Sequence, residues 1–284
     1  MTFLVTGGTG TVGGHVLRLA AADGLPVRAL VRDRRRATAM LPATVEVLEA
    51  DLADASAVDV ALRGVQGAFL AVGGTDQQQQ LEERFVDRAG AHGVHVVKLS
   101  AHGASPDSPV PYDRWHAAVE ARLTSSGTAW TLLRPTVFMQ NLLGSSDSLA
   151  AGQLFAPAGS ARIAFVDARD IAAVAVTALR GGHEGGTYEI TGPEALTYAD
   201  VAVRFSELLG HGVEYVDLPG DAFMSALAGA GMSALQVESL GALMSTVRAG
   251  SQATVTSTVP DLLGRPATSL RDFLLEHRAA FSSA

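Results

Sequence analysis

The chain of 284 residues contains no cysteine. Disulfides, thiolate nucleophiles and zinc sites built on sulfur are therefore excluded. Of its eight histidines, only His92 and His95 stand at a ligand-like spacing. They fall on a helix-to-strand turn with no carboxylate beside them in sequence, so no metal site is expected. Positive charge is also scarce: the formal net charge is -8. Binding along a phosphate backbone draws on clustered Lys and Arg, and the one basic cluster, Arg32 to Arg36, is too local to track a duplex. No nucleic-acid partner is expected. Long apolar runs are missing as well, the uncharged stretch from Phe223 to Gln236 being too short and too glycine-rich to span a bilayer. The start, TFLVTG, enters a strand pattern with no basic leader. The expectation is a cytoplasmic protein with no membrane partner.

What the chain does have is alternation. Short apolar runs (FLVTG, VRALVR, VEVLEAD, GAFLAVG, HVVKLSA, WTLLRP) are separated by helical patterns at 12–22, 35–41, 56–63, 77–92 and 112–125. Strands alternating with helices imply a parallel sheet covered on both faces. The expected fold class is α/β, a Rossmann doubly wound parallel sheet with helices on both faces and a smaller C-terminal α/β substrate domain. After Pro135 the regularity breaks. Residues 138–160 read as a helix and loop, 163–180 as one strand and one helix, TYEIT and VEYVDL as strands, and the remainder as mainly helical. The expected division is a dinucleotide-binding domain at 1–137 completed by 160–192, and a smaller substrate domain from 138–159 and 193–284.

Near the start the chain reads VTGGTGTVGGHV. Gly7, Gly10 and Gly13 follow a strand and open a helix, so the turn can be tight and the backbone can approach a pyrophosphate. The N–H groups at the helix start, around Thr11 and Val12, can then point at it. A carboxylate at the end of the second strand would select NAD(H) by bonding the adenosine ribose. Here that strand ends LVRDRRR, placing Arg32 in the carboxylate's position and Arg35 close behind. Guanidinium groups match a 2'-phosphate in bidentate fashion, so the expected cofactor is NADP(H), with Asp33 keeping NAD(H) possible. Asp51 and Leu52 after the third strand are then expected to flank the adenine. The Val72-Gly73-Gly74 turn after the fourth lets the chain pass the ribose closely.

Several stretches together carry a resemblance: TGGTGTVG, LVRD, EADLAD, WHAAVEARLTSSGTAWTLLRPTVFMQNLL from residue 115, FVDARDIAAVA from 165, and the closing LLGRPATSLRDFLLEHRAAF. In these the chain resembles the NmrA-like branch of the atypical short-chain dehydrogenases, over nearly its whole length. Such a resemblance implies an NAD(P)H-dependent reductase of quinone, azo or isoflavone-type acceptors, or a cofactor-binding sensor that regulates another protein. It also places Phe138, Met139, Gln140 and Asn141, after the sixth strand, along the substrate cleft. The stretch from Phe223 to Met244, with Met224, could be an adaptable lid over an apolar ligand or a face between subunits of a homodimer.

Standard short-chain dehydrogenases use a tyrosine followed four residues later by a lysine. This chain has one lysine, Lys98, inside the fifth strand, and none of its tyrosines is followed by a lysine at that spacing. Tyr112 and His116 nevertheless lie about where that pair falls, twelve residues or more beyond Ser100 at the end of the fifth strand. Spacing of four puts both side chains on one helix face. His116, standing where similar reductases carry a lysine, could contact the cofactor ribose, polarise the Tyr112 hydroxyl or shuttle a proton. Glu120, one turn further on, suggests a structural partner for Arg114 or Arg122. A quinone suits the missing lysine, because hydride transfer to it gives a weakly basic phenolate, whereas a simple ketone gives an alkoxide that needs a poised acid. The expected activity is hydride transfer from NADPH to a flat apolar acceptor such as a quinone or enone. The alternative is a non-catalytic redox sensor acting through a protein partner.

Overall fold

Parallel strands buried on both faces should be nearly all apolar, and the TFLVT run fits, with four of its five residues buried. In the computed structural model, which describes residues 2–73 and 75–281, the chain alternates as expected through its first six strands. In order come β1 (Thr2–Thr6), α1 (Thr11–Ala22), β2 (Val27–Val31), α2 (Arg34–Met40), β3 (Glu46–Glu49), α3 (Ala55–Leu62), β4 (Val65–Leu70), α4 (Gln78–Ala91), β5 (His95–Leu99), α5 (Pro111–Ser125) and β6 (Trp130–Pro135). A 3-10 helix follows over Met139–Ser145, then α6 (Ser146–Ala150), β7 (Gln153–Ala156), α7 (Ala168–Leu179), β8 (Gly186–Ile190), α8 (Tyr198–Leu209) and β9 (Glu214–Asp217). The chain closes with α9 (Gly220–Gly229), α10 (Ala234–Arg248), α11 (Thr258–Leu263), α12 (Leu270–Glu276) and α13 (Arg278–Phe281).

Two compact units result. The first comprises Met1–Pro106, Trp115–Arg134 and Ala168–Glu189; the second comprises Asp107–Arg114, Pro135–Asp167 and Ile190–Ala284. The first is built on a seven-stranded sheet in the order β3-β2-β1-β4-β5-β6-β8, with parallel pairing from β3 through to β6. The strand order reverses between β1 and β4, and in such sheets the ligand crevice opens beyond the carboxyl ends of the strands at that point. On one face Val58, Leu62, Phe85, Val86, Val119 and Leu123 bury against the sheet. On the other, α1 packs on α7.

The second unit has its own core, formed by Leu149, Leu154, Phe165, Tyr198, Phe205, Leu270 and Phe273 among others. It holds a two-stranded parallel ladder of β7 and β9. β7 replaces part of the expected helix and loop at 138–160. QLFA is only four residues long and shows its alternation solely through the burial of Leu154 and Ala156. The strand expected near 163–167 is reduced to isolated bridges, Phe138 to Val166 and Ile163 to Leu196.

Candidate functional site

The glycine turn sits at the reversal point of the sheet. Gly7 has φ +63°, a conformation that L side chains rarely adopt, and a Cβ there would stand 2.6 Å from the Ala71 carbonyl oxygen at the end of β4. A Cβ on Gly13 would stand 2.4 Å from the Gly7 carbonyl oxygen. Gly7 is thus required by its positive φ and its closeness to the end of β4, and Gly13 by how closely the turn folds on itself. The Thr6 hydroxyl donates to the Ala71 carbonyl at 3.0 Å and accepts from the Ala71 N–H at 2.8 Å, pinning the ends of β1 and β4 together. Gly10 is the N-cap of α1 and brings no side-chain cap, whereas Asp33, Asp54, Thr197, Ser233 and Ser269 cap α2, α3, α8, α10 and α12. The first-turn N–H groups of Thr11, Val12 and Gly13 therefore meet no side-chain cap, as is also so at the starts of α4, α6, α9 and α11.

At the end of β2, Asp33 is taken up locally: its carboxylate accepts the Arg36 N–H at 2.9 Å. Arg32 and Arg35 are exposed, and among the described residues no carboxylate pairs with either. Asp51 accepts the Ala53 N–H at 2.9 Å, and Leu52 packs at the margin of the sheet core. The Val72 N–H donates to Glu82 at 3.1 Å. Gly73 is exposed with open space around it, and Gly74 lies outside the described residues. The expected cofactor residues of the first unit thus collect at the carboxyl ends of β1 to β5 and at α5.

Two charged residues stand behind His116: Lys98, which its sequence position places only inside β5, and Glu82, which carries no local signal. Lys98 and Glu82 are buried, with their charged groups 3.0 Å apart. The Lys98 ammonium also donates to the Leu99 carbonyl and lies 3.2 Å from Nδ1 of His116. Burial, and then the Lys98 charge, hold the His116 imidazole well below the ordinary histidine range. Burial pushes Glu82 up, against the pull of the lysine. The signal that could have revealed the pair is a lysine in the apolar run HVVKL, where a strand buried on both faces has no room for an unpaired charge.

Ser100 is buried and its hydroxyl donates to Glu120 at 2.5 Å. The arginine that Glu120 pairs with is Arg134; Arg122 bonds Asp87 and the Arg114 guanidinium bonds the Ser108 carbonyl. Proximity in sequence suggested the last two, but a helix presents residues two or six positions apart on different faces, and the sheet delivers Arg134 instead. Arg134 reaches Glu189 as well, at 3.7 Å, and Glu189 holds Nδ1 of His102 at 2.5 Å.

The remaining expected residues belong to the second unit. Tyr112 opens α5, one turn before His116, and is half-buried. Phe138 is half-buried and Asn141 exposed. Met139 packs in the core at 1% exposure, its N–H bonded to the Val166 carbonyl, so its side chain is not presented at the surface. Met224 on α9 is 39% exposed and lies against Gly241 of α10. Among the described residues no cluster of His, Asp and Glu could hold a metal, and no helix is long and apolar enough to cross a membrane.

Comparison with known proteins agrees with this geometry. The chain is 38% identical over 284 residues to the NAD(P)H azoreductase of Xenophilus azovorans, covering 99% of each chain. It is 40% identical to the (4-alkanoyl-5-oxo-2,5-dihydrofuran-3-yl)methyl phosphate reductase of Streptomyces griseus, covering 98% of this chain and 99% of that one. Among solved structures, the NADPH-dependent quinone oxidoreductase of Escherichia coli complexed with NADPH superposes with a TM-score of 0.87 at 28% identity, over 98% of this chain and 99% of the other. The profile of the NmrA-like family matches residues 1–257. With the reversed strand order, the glycine turn and these end-to-end likenesses, the chain belongs to the NmrA-like family.

Proposed function

We propose that this protein is an NADPH-dependent reductase that transfers hydride to a conjugated, largely apolar acceptor such as a quinone, an azo compound or an enone. The observation that carries the reading is the uncapped N-terminus of α1, set in a glycine turn at the sheet's reversal point and followed at the end of β2 by exposed Arg32 and Arg35. This donor set fits a pyrophosphate and a 2'-phosphate. The relatives named above as azo, quinone and dihydrofuran reductases support the acceptor class.

In this reading the turn from Gly7 through Gly10 and Thr11 to Gly13, with Val12, holds the pyrophosphate. Arg32 and Arg35 hold the 2'-phosphate, Asp51 and Leu52 border the adenine, and Val72, Gly73, Ser100 and His116 border the nicotinamide half. The nicotinamide supplies the hydride when bound. Tyr112 bonds the acceptor oxygen or nitrogen, and Phe138, Asn141 and Met224 of the substrate domain take its apolar body. A conjugated acceptor spreads the charge it receives, so a neutral hydroxyl suffices as proton source.

The test is NADPH oxidation, with NADH in parallel, against a panel of quinones, azo dyes, enones, aldehydes and aliphatic ketones. Turnover of conjugated acceptors with aliphatic ketones ignored supports the reading. Faster reduction of aliphatic ketones would overturn the acceptor class. Tight NADP(H) binding without turnover on any acceptor would favour a redox sensor.

A further inference from the structure

We propose that Lys98 and Glu82 are a positioning pair, which holds His116 as a neutral imidazole with its hydrogen on Nε2 and so makes α5 present a fixed hydrogen-bond donor. An ammonium has three hydrogens and no acceptor. Around Lys98 stand three acceptors: the Leu99 carbonyl, Oε1 of Glu82 at 3.0 Å and Nδ1 of His116 at 3.2 Å. Nδ1 therefore accepts, and the single hydrogen of the neutral ring is left on Nε2. The low proton affinity of His116, from burial and the neighbouring ammonium, is consistent with this.

Glu82 extends the arrangement. Its Oε1 also takes the Val72 N–H at 3.1 Å, so one buried carboxylate orders both the loop after β4 and, through the lysine, the histidine of α5. Two charges at 0% and 1% side-chain exposure are not accounted for by stability, because apolar replacements of a buried pair are often neutral or stabilising. Their common neighbours, Val72 and His116, are positions assigned above to the cofactor. This role rests on that assignment, and His116 becomes a donor and polariser, not a proton store.

The test uses the ligand-free protein labelled with 15N in its imidazole rings, the His116 signals being identified by their loss in His116→Asn. In the wild type His116 should carry hydrogen on Nε2 alone and should titrate well below the ordinary histidine range. Lys98→Met by itself leaves Glu82 as an unpaired buried carboxylate and risks misfolding, so the decisive variant is the neutral double, Lys98→Met with Glu82→Gln. In the double variant, the expected result is a mixture of tautomers, an upward shift in titration, and NADPH affinity lower by five-fold or more. Lys98→Arg, which still only donates, should keep the Nε2 hydrogen. A wild-type signal with hydrogen on Nδ1 would overturn the proposal. So would a double variant with unchanged tautomer and titration, or one whose tautomer changes while NADPH affinity stays the same. The nitrogen spectra need no acceptor, so failure of the reductase reading is scored separately, in the turnover panel.

Discussion

Arg134 grips Glu120 side-on, Nε to Oε1 at 3.0 Å and a terminal nitrogen to Oε2 at 2.5 Å, joining β6 to α5. Ser100 donates to the same carboxylate. Glu120→Ala should therefore cost about 2–4 kcal/mol, because it leaves a buried hydroxyl without an acceptor and a guanidinium without its main partner. Glu120→Gln, which still accepts from both, should cost less. Urea unfolding of the two variants checks the order, and equal losses would contradict it.

The glycines of the turn and of the loop after β4 should behave oppositely. A Cβ on Gly13 meets the Gly7 carbonyl at 2.4 Å and the Thr6 carbonyl at 3.0 Å, whereas one on Gly73 meets nothing within 4 Å. Gly13→Ala must move backbone, and is expected to lower the melting temperature and weaken NADPH binding by roughly tenfold or more. Gly73→Ala should change stability by less than about 0.5 kcal/mol. Thermal unfolding with a cofactor fluorescence titration measures both.

If Arg32 and Arg35 hold the 2'-phosphate as proposed, they decide between cofactors. Arg32→Ala with Arg35→Ala removes charge-assisted bonds worth about 1.5–3 kcal/mol each to a phosphate, so NADPH affinity should fall at least about tenfold. NADH affinity should stay nearly constant. Equal loss for both cofactors would mean that these arginines do not read the 2'-phosphate.

Stability should depend on pH through His95 and His116. Burial lowers both, and Lys98 lowers His116 further. A depressed folded pKa means that the unfolded chain takes up protons that the folded chain refuses, so stability is present above the ordinary histidine range, near 6.5, and is lost as pH falls below it. Glu82 works the other way, its raised pKa costing stability as pH rises through its folded value. The urea midpoint should drop between pH 7.5 and pH 5.5, and His116→Gln should shrink that drop. An unchanged drop in the variant would mean that His116 charges freely in the folded state.

Much of the first unit was legible because its signals are local. A strand, a glycine turn and a helix start lie within about a dozen residues, and each apolar run reports its own burial. Legibility failed where the fold brings distant residues together. Glu82 and Lys98 stand sixteen positions apart on α4 and β5, and nothing in the spacing says that they meet behind His116. Arg134 reaches Glu120 for the same reason, while the nearer arginines in sequence point elsewhere. In the second unit β7 is too short to show a period, and Met139, flanked by polar and aromatic neighbours, gives no sign that the chain buries it.

The lone lysine has a practical consequence. A protease that cuts only after lysine has one peptide bond to attack, that between Lys98 and Leu99, and the side chain it must recognise is at 0% exposure within the fifth strand of the sheet. Scission into fragments 1–98 and 99–284 can then proceed only through molecules in which β5 has come out of the sheet. Its rate is a clock for the opening of the strand that holds the site together, readable on a gel and without any mutation.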